Sequence, residues 1–312
     1  MTKRAGLALI HKQKWKIHHG SSTALTTLGL KTFSPRSYVI LTTSLSALLM
    51  LVSVFWEHGG IGIKVTKDKP LVLGHEASGV VHAVGSAVTS LEVGDRVAIE
   101  PGFPCRRCRN CKKGTYNLCS DMKLAAAPPD IHGTLTKFFA APEDFIYKIP
   151  STMSLQEAVV LEPLAVAVHA ISLLAVCPGQ TVVITGAGTV GQLCAQVAQE
   201  PGAGRVILAD IVGRKLEMAA QGLGCDTFLI NPVETPEQSF ERLSVAMNIG
   251  DGVDAVVEAS GAEKPVQIGN YTVKRGGTYV QIGVGKPKAT IPILALLEKE
   301  LLVRGSHSFV RE

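Results

Sequence analysis

Residues 181–199 have the sequence TVVITGAGTVGQLCAQVAQ. The β-branched run at 181–185 predicts a buried parallel strand. The segment Gly186-Ala187-Gly188-Thr189-Val190-Gly191 follows it directly, and the helical pattern QLCAQVAQ then begins. A strand, a G-x-G-x-x-G turn and a helix in this order form a dinucleotide-binding fingerprint, in which the glycines let the backbone approach a pyrophosphate at the helix N-terminus.

A second apolar strand, RVILAD, ends in Asp210. This acid follows the turn by about 20 residues, the spacing expected of a group that binds the adenosine ribose. Its charge would repel a 2′-phosphate, so the sequence predicts NAD rather than NADP; the alternative is a solvated acid at a strand end. Further strands are expected near 226–230, 253–258, 278–282 and 300–304. Because Pro201 follows Glu200, the helix should end at or before Glu200.

Four cysteines lie in the segment PCRRCRNCKKGTYNLC with the spacing C-x2-C-x2-C-x7-C: Cys105, Cys108, Cys111 and Cys119. Thiolates this close in sequence can form one tetrahedral zinc site, and a four-cysteine site is closed and structural. A disulfide cluster is the alternative. It is disfavoured because nothing else in the chain indicates a secreted scaffold, and seven cysteines with metal-like spacing suit a reducing compartment.

A catalytic zinc needs about three ligands from His, Cys or carboxylate side chains and one open position. His75 and Glu76 follow Gly74 at a predicted strand-to-helix corner, from which both side chains can point at one ion. Glu162, in LEPLAVAVHA, is a third candidate. A His-Glu pair alone is more often an ordinary surface pair, and we expect His169, on the same helical pattern as Glu162, to pack rather than to bind metal.

The segments GHEASG, GDRVAIEPG, LEPLAVAVH and GAGTVG, together with the cysteine segment, occur here in the order found in the zinc-dependent medium-chain alcohol dehydrogenases. The chain resembles this family over about residues 56–306, and within it the polyol branch, which includes sorbitol and xylitol dehydrogenases. The resemblance implies an α/β fold with a GroES-like β-rich catalytic domain and a Rossmann domain, a doubly wound parallel sheet.

The resemblance also implies roles for individual residues. His75 and Glu76 would bind the catalytic Zn2+, and Glu162 would contact its bound water or the substrate. Val190 would pack at the pyrophosphate turn, Lys215 would join Asp210 at the adenosine end, and Ile282-Gly283-Val284 would lie along the nicotinamide. The implied reaction is hydride transfer to NAD from a small polyol such as xylitol or sorbitol, whose hydroxyl is polarised by zinc. A homo-oligomer is implied as well.

The chain departs from the family at both ends of the resemblance. The family supplies a further catalytic zinc ligand from the cysteine of a C-G-S-D segment, whereas Ser53-Val54 precedes Phe55 here and the first cysteine is Cys105. Residues 307–312 stand where the family continues into a longer segment, so we expect a truncated tail. These departures predict weak binding of the catalytic zinc and polyol oxidation at least about 100-fold below that of a complete relative.

Two other functions stay open at this point. One is a catalytically inactive relative that still binds NAD. The other is a reductase of the quinone-oxidoreductase type, which has this architecture but no catalytic zinc. Zinc content would separate the three: two ions per chain for the polyol dehydrogenase, one for the inactive relative and none for the reductase.

Residues 1–56 contain seven Lys or Arg and no Asp or Glu, which leaves a net charge of −2 for the remainder. The overall charge of +5 therefore gives no evidence for nucleic-acid binding. The uncharged apolar stretch 38–56 allows three interpretations: mis-joined sequence, a membrane anchor or part of a mitochondrial targeting segment. We expect residues 1–54 not to pack into the enzyme, with low order or an isolated helix around 38–56.

The predicted organisation is therefore an atypical extension at 1–56, a GroES-like domain with the zinc lobe at 57–164, a Rossmann domain at 165–306 and a tail at 307–312. A cytoplasmic location is expected, with mitochondrial or membrane-anchored forms as alternatives. Any membrane contact would involve residues 38–56 alone.

Overall fold

The computed structural model describes residues 37–43, 70–127 and 131–307. These residues form two compact units. The first contains the described residues up to Phe103 together with Lys123–Val159, and the second contains Pro104–Met122 and the described residues from Val160 onward. The cysteine segment, which the sequence analysis assigned to the β-rich domain, thus groups with the second unit. Within the described ranges, no helix has the length and apolar character needed to cross a bilayer.

The first unit is built on a five-stranded antiparallel sheet with the strand order β6-β1-β2-β3-β7. The described residues of this unit also contain a two-stranded sheet, β4-β5, a short helix, α2, and a 3-10 turn at Glu143–Phe145. The strands are β1 Tyr38–Thr43, β2 Ser78–Val84, β3 Arg96–Ile99, β4 Gly102–Phe103, β5 Lys123–Leu124, β6 Phe138–Pro142 and β7 Ile146–Lys148, and α2 is Leu155–Val159. The segments SGVVHAVGSAV and GDRVAIEPG supply the antiparallel pair β2 and β3.

Strand β1 corrects the expectation that residues 1–54 stay apart from the enzyme. It lies between β2 and β6 in the sheet, and Val39 and Leu41 are fully buried. An isolated helix or low order is therefore wrong for residues 38–43. The physical reason is that YVILTT is rich in β-branched and apolar residues and that the successive residues Tyr38 and Val39 are both buried, so this strand does not need to alternate between apolar and polar residues. Residues 44–56 lie outside the described part of the chain.

The second unit is built on a six-stranded parallel sheet with the order β10-β9-β8-β11-β12-β13. This is the strand order of a doubly wound dinucleotide-binding sheet, with its switch point between β8 and β11. The strands are β8 Thr181–Thr185, β9 Arg205–Asp210, β10 Asp226–Leu229, β11 Val253–Glu258, β12 Val273–Gln281 and β13 Leu302–Gly305. The predicted strands are confirmed, and β12 begins five residues earlier than expected.

Helices cover both faces of this sheet. They are α3 Leu161–Leu174, α4 Thr189–Gln199, α5 Gly213–Leu223, α6 Pro236–Met247, α7 Glu263–Thr272 and α8 Ile293–Glu298, while α1 Arg109–Lys112 and a 3-10 turn Tyr116–Leu118 belong to the cysteine segment. Helix α4 ends at Gln199, as Pro201 predicts. Successive residues of β8 point into different cores: Val182 and Ile184 pack in one, and Val183 packs in the other. Burial on both faces explains the uninterrupted apolar strands.

Candidate functional site

The four cysteines of the predicted zinc lobe converge on one point. Their sulfur atoms all lie within 4.8 Å of one another. Cys108 Sγ is 3.4 Å from Cys111 Sγ, and Cys105 Sγ is 3.9 Å from Cys111 Sγ. Local backbone geometry holds them, because the amides of Cys105, Cys108 and Cys111 point at the sulfurs of Cys119, Cys105 and Cys108. Cys108 is also the N-cap of α1.

This sulfur set fits a tetrahedral zinc ion. Zinc–sulfur bonds of about 2.3 Å place the sulfurs of a tetrahedral site about 3.8 Å apart, close to the separations seen here. Backbone N–H groups of Arg107 and Cys108 lower the pKa of Cys105 to about 6. Burial raises the pKa of Cys111 to about 12. Because zinc binds thiolates, loading this site at neutral pH releases protons.

The corner that carries His75 and Glu76 is held by a distant segment of the same unit. Residues 72–74 pair with residues 133–135 through backbone hydrogen bonds of 2.7–2.9 Å, and the amide of Val72 donates to His132 Nδ1 at 3.1 Å. Gly74 has a φ of +89°, which turns the chain toward the start of β2, so the corner leads into a strand and the predicted helix is wrong. A side chain at Gly133 would overlap the backbone of Leu73 and Gly74, so the pairing requires glycine there.

His75 and Glu76 offer ligand atoms within 4.8 Å of each other, and both side chains are half-buried. Burial lowers the pKa of His75 to about 4, which keeps its imidazole neutral at pH 7, the form that binds metal. Burial raises the pKa of Glu76, since a carboxylate removed from water loses its hydration. A cation bound between His75 and Glu76 would stabilise the carboxylate of Glu76 and offset its loss of hydration. The donor set of one neutral imidazole and one carboxylate therefore fits zinc.

Glu162 lies in the first turn of α3, in the second unit, and is half-buried. Its role beside His75 and Glu76 stays a prediction. The position where the family has its catalytic cysteine lies outside the described residues. His169, on the same helix, lies with its Nε2 atom 3.4 Å from the amide nitrogen of Asn117, which also donates to the carbonyl of His307. These contacts agree with a packing role for His169.

The glycine-rich turn has the geometry that a pyrophosphate site needs. Gly186 has a φ of +103°, and a side chain there would press on Ala259 and Ser260. A side chain at Gly191 would overlap the carbonyl oxygen of Gly186, so glycine lets α4 pack closely against the turn. Gly188 differs, because a Cβ atom there would meet nothing within 4 Å. The open space lies at the N-terminus of α4, where a phosphate is favoured.

Asp210 ends β9 beside this turn. It is 9% exposed, so it is not a solvated strand-end acid. Its Oδ2 accepts from the amide of Ala187 at 2.7 Å, and its Oδ1 accepts from the amide of Val212 at 2.9 Å. Lys215 Nζ lies 4.0 Å from Oδ2. The carboxylate thus binds the glycine-rich turn through Ala187 and also lies where a ribose is expected. Each of its oxygens keeps a lone pair that can accept from a ribose hydroxyl.

Residues 282–284 follow the carboxyl end of β12, and Asp210 lies at the carboxyl end of β9 in the same parallel sheet. Val284 is 68% exposed. The amides of Ile282 and Gly283 donate to the carbonyl oxygen of Glu258 at 2.9 and 2.8 Å. Glu258 is a residue that the sequence analysis missed. It ends β11, as Asp210 ends β9, and a charged residue at the carboxyl end of an apolar strand was the available signal.

These features together define a class of protein: an oxidoreductase with a nicotinamide dinucleotide site, a closed structural zinc lobe and a separate His-Glu metal corner. A family model for the alcohol dehydrogenase GroES-like domain matches residues 52–151, and one for zinc-binding dehydrogenase matches residues 189–312. The chain belongs to the zinc-binding alcohol dehydrogenase family, as its motifs indicate.

Comparison with individual proteins agrees. The chain is 51% identical over 255 residues to D-xylulose reductase A of Aspergillus oryzae, a match that covers 82% of this chain and 70% of the relative. Among solved structures, an oxidoreductase of unknown specificity from Escherichia coli matches with a TM-score of 0.79 at 32% identity, covering 89% of this chain and 79% of that one. L-Idonate 5-dehydrogenase of E. coli matches with a TM-score of 0.75 at 27% identity, covering 88% and 76%.

Proposed function

We propose that this protein oxidises a secondary hydroxyl of a small polyol, with xylitol or sorbitol as candidate substrates, to the ketose and transfers the hydride to NAD. The observation that carries the proposal is the 51% identity to D-xylulose reductase A in a chain with an intact dinucleotide turn and His-Glu corner. The acid at Asp210 supports NAD over NADP, because it disfavours a 2′-phosphate.

Each group on this chain has a part in the proposed reaction. A bound zinc ion would supply Lewis-acid polarisation of the substrate hydroxyl oxygen. His75 and Glu76 would hold it, the first as a neutral imidazole, and we assign Glu162 to contact the substrate or bound water. The amides at the start of α4 would face the pyrophosphate, Asp210 and Lys215 the adenosine ribose, and residues 282–284 the nicotinamide.

A steady-state assay tests the proposal. NADH formation is followed with xylitol and with sorbitol for the wild-type chain, for Glu76→Gln and for the control Glu92→Gln. Glu92 is an exposed residue of the same unit that donates its backbone amide to Asp95 and lies away from the His-Glu corner in sequence. We expect polyol-dependent NADH formation that falls at least about tenfold in Glu76→Gln and is unchanged in Glu92→Gln. Equal rates in all three proteins would overturn the assignment.

The catalytically inactive NAD-binding relative is a second candidate, because the chain has no cysteine before Cys105. Zinc content measured by mass spectrometry separates the two. Two ions per chain support the polyol dehydrogenase, and one ion together with NAD binding but no turnover supports the inactive relative.

The proposal includes self-association and a cytoplasmic location. Strand β13 is the edge of the parallel sheet, all four of its residues are exposed, and Leu302 and Val303 are each about half exposed. A second copy could extend the sheet across a two-fold axis at this edge. Light scattering should give a dimer or larger assembly that Val303→Lys dissociates.

The seven free cysteines support a reducing compartment such as the cytoplasm, and cell fractionation tests that assignment.

A further inference from the structure

Glu258 is a fully buried carboxylate to which the proposed reaction gives no task. Both of its oxygens accept hydrogen bonds. Oε1 accepts from the amide of Ser260 at 2.8 Å and from the hydroxyl of the same residue. Oε2 accepts from the amide of Gly261 at 2.9 Å and from Nε2 of Gln281 at 2.6 Å. Acceptance on both oxygens suits an ionised carboxylate, which has no hydrogen to donate.

These donors come from the loop that follows β11 and from the last residue of β12. Ser260 and Gly261 belong to the first loop. Gln281 ends β12 and leads into the second loop, whose first two amides donate to the Glu258 carbonyl oxygen. Glu258 therefore binds the first loop and the end of β12 through its side chain, and the second loop through its backbone.

Glycines let these loops approach backbone to backbone. A side chain at Gly261, which has a φ of +71°, would lie 2.5–2.7 Å from Val284 and Gly285 atoms. A side chain at Gly283 would lie 2.6 Å from Oε2 of Glu258. The carboxylate fills the space that the missing Cβ leaves, so the position of residues 282–284 depends on it directly.

A further hydrogen bond sets the orientation of the Gln281 amide. Tyr279 donates its hydroxyl to Gln281 Oε1 at 2.6 Å, which leaves Nε2 to donate to Glu258 and to the carbonyl of Gly283 at 2.8 Å. Burial raises the pKa of Tyr279 and the charge of Glu258 adds to this effect, so the tyrosine stays a donor. The hydrogen bonds thus run in one direction, from the hydroxyl of Tyr279 to the side chain of Gln281 and from Gln281 to the carboxylate of Glu258.

We propose that Glu258 is a positioning residue for the nicotinamide half of the cofactor site. This inference rests on the proposed function, because residues 282–284 contact the nicotinamide only if NAD binds as proposed. Burying a charge without a cationic partner is costly, and an apolar side chain of the same size would avoid that cost. An apolar residue would also remove the acceptor of the donors on Ser260, Gly261 and Gln281. The carboxylate therefore fixes the loop that the nicotinamide would contact.

The variant Glu258→Gln keeps the shape and replaces one acceptor oxygen with an NH2 group that faces N–H donors. Glu143→Gln is the matched control, since Glu143 also accepts from backbone amides and a serine hydroxyl, those of Thr89 and Ser90, but in the first unit. Calorimetry measures the affinity of each protein for NAD and for ADP-ribose, which lacks the nicotinamide.

We expect Glu258→Gln to weaken NAD binding about tenfold and ADP-ribose binding less than about twofold, consistent with the loss of one buried charged hydrogen bond. Glu143→Gln should change neither affinity. A general loss of stability would instead lower the affinity for NAD and the affinity for ADP-ribose by the same factor. Equal losses for NAD and ADP-ribose, or unchanged NAD affinity, would overturn the inference.

Hydrogen exchange of the ligand-free protein separates this inference from the proposed function. Glu258→Gln should speed exchange at residues 259–262 and 282–286 and leave β10, at the far end of the sheet order, unchanged. If the wild type binds no NAD, the proposed function fails, and unchanged exchange in the variant would overturn the positioning role by itself. If Glu258→Gln does not fold, Gln281→Met removes three hydrogen bonds, one of them to Glu258, and should shift the ratio of NAD to ADP-ribose affinity in the same direction.

Discussion

Replacing Gly188 by alanine should strongly weaken cofactor binding without destabilising the fold. The residue has a φ of −75° and a ψ of −174°, which alanine adopts without strain. The added methyl group would meet no atom within 4 Å. It would project into the space at the N-terminus of α4 where the pyrophosphate is expected. The added methyl group should therefore lower the affinity for the cofactor while leaving the free energy of unfolding nearly unchanged.

The magnitudes follow from this geometry. Gly→Ala gains about 0.4–1 kcal/mol by restricting the unfolded chain. Alanine is a poorer helix N-cap than glycine by a similar amount, so the free energy of unfolding should change by less than about 0.5 kcal/mol. Loss of close approach to the pyrophosphate should weaken NAD binding by about 100-fold or more, or about 2.7 kcal/mol. Gly191→Ala is the opposite case, since its methyl group would overlap the Gly186 carbonyl and should cost about 3 kcal/mol of stability.

Denaturant unfolding measures the free energy of unfolding of Gly188→Ala and Gly191→Ala, and titration followed by NADH fluorescence measures their affinity for the cofactor. Gly222→Ala is the control, because this glycine lies within α5 and its added methyl group also meets nothing within 4 Å. It should stabilise the helix by up to about 1 kcal/mol and leave binding unchanged. NADH affinity in Gly188→Ala equal to that of the wild type would refute the position assigned to the pyrophosphate. A large loss of stability would refute the claim that the space is empty.

Three further outcomes are expected. Cys108→Ser should release the structural zinc and lower the melting temperature, because binding energy at such a site is folding energy; retention of one tightly bound ion at this lobe would contradict it. NAD should bind more tightly than NADP, and Asp210→Ser should narrow the difference, whereas equal or tighter binding of NADP by the wild type would refute the role of Asp210. Leu41→Ala should cost about 2–5 kcal/mol in denaturant unfolding, since Leu41 is fully buried in β1, while exposed Thr42→Ala should cost little; equal effects would show that β1 does not support the sheet.

The second unit could be predicted in detail because its signals are local. The central strands β8, β9 and β11 contain short apolar runs, the turn at 186–191 has its own glycine spacing, and Pro201 marks a helix end within a few residues. The four-cysteine lobe is local for the same reason. Its sulfurs are held by amides from within the same 15 residues, so spacing alone was enough to predict that they meet.

The features that could not be predicted depend on distant partners. Residues 38–43 become a strand because β2 and β6 lie on either side of them, and the chain composition around that segment favoured other interpretations. The clamp on the His75 corner comes from residues 132–135, about 60 positions away. Glu258 belongs to no motif, and its importance appears only when the loops after β11 and β12 are seen to share its oxygens.

The central place of β1 has a consequence for the order in which the chain can fold during synthesis. Tyr38 pairs with Pro142, so the first sheet cannot close until the ribosome has made more than a hundred further residues. At about 5–20 residues per second, that wait is roughly 5–20 seconds. During it, β1 and β2 can pair while the other edge of β1 stays exposed. The emerging chain therefore presents an apolar strand edge to chaperones, or to other nascent chains, well before the cofactor-binding unit exists.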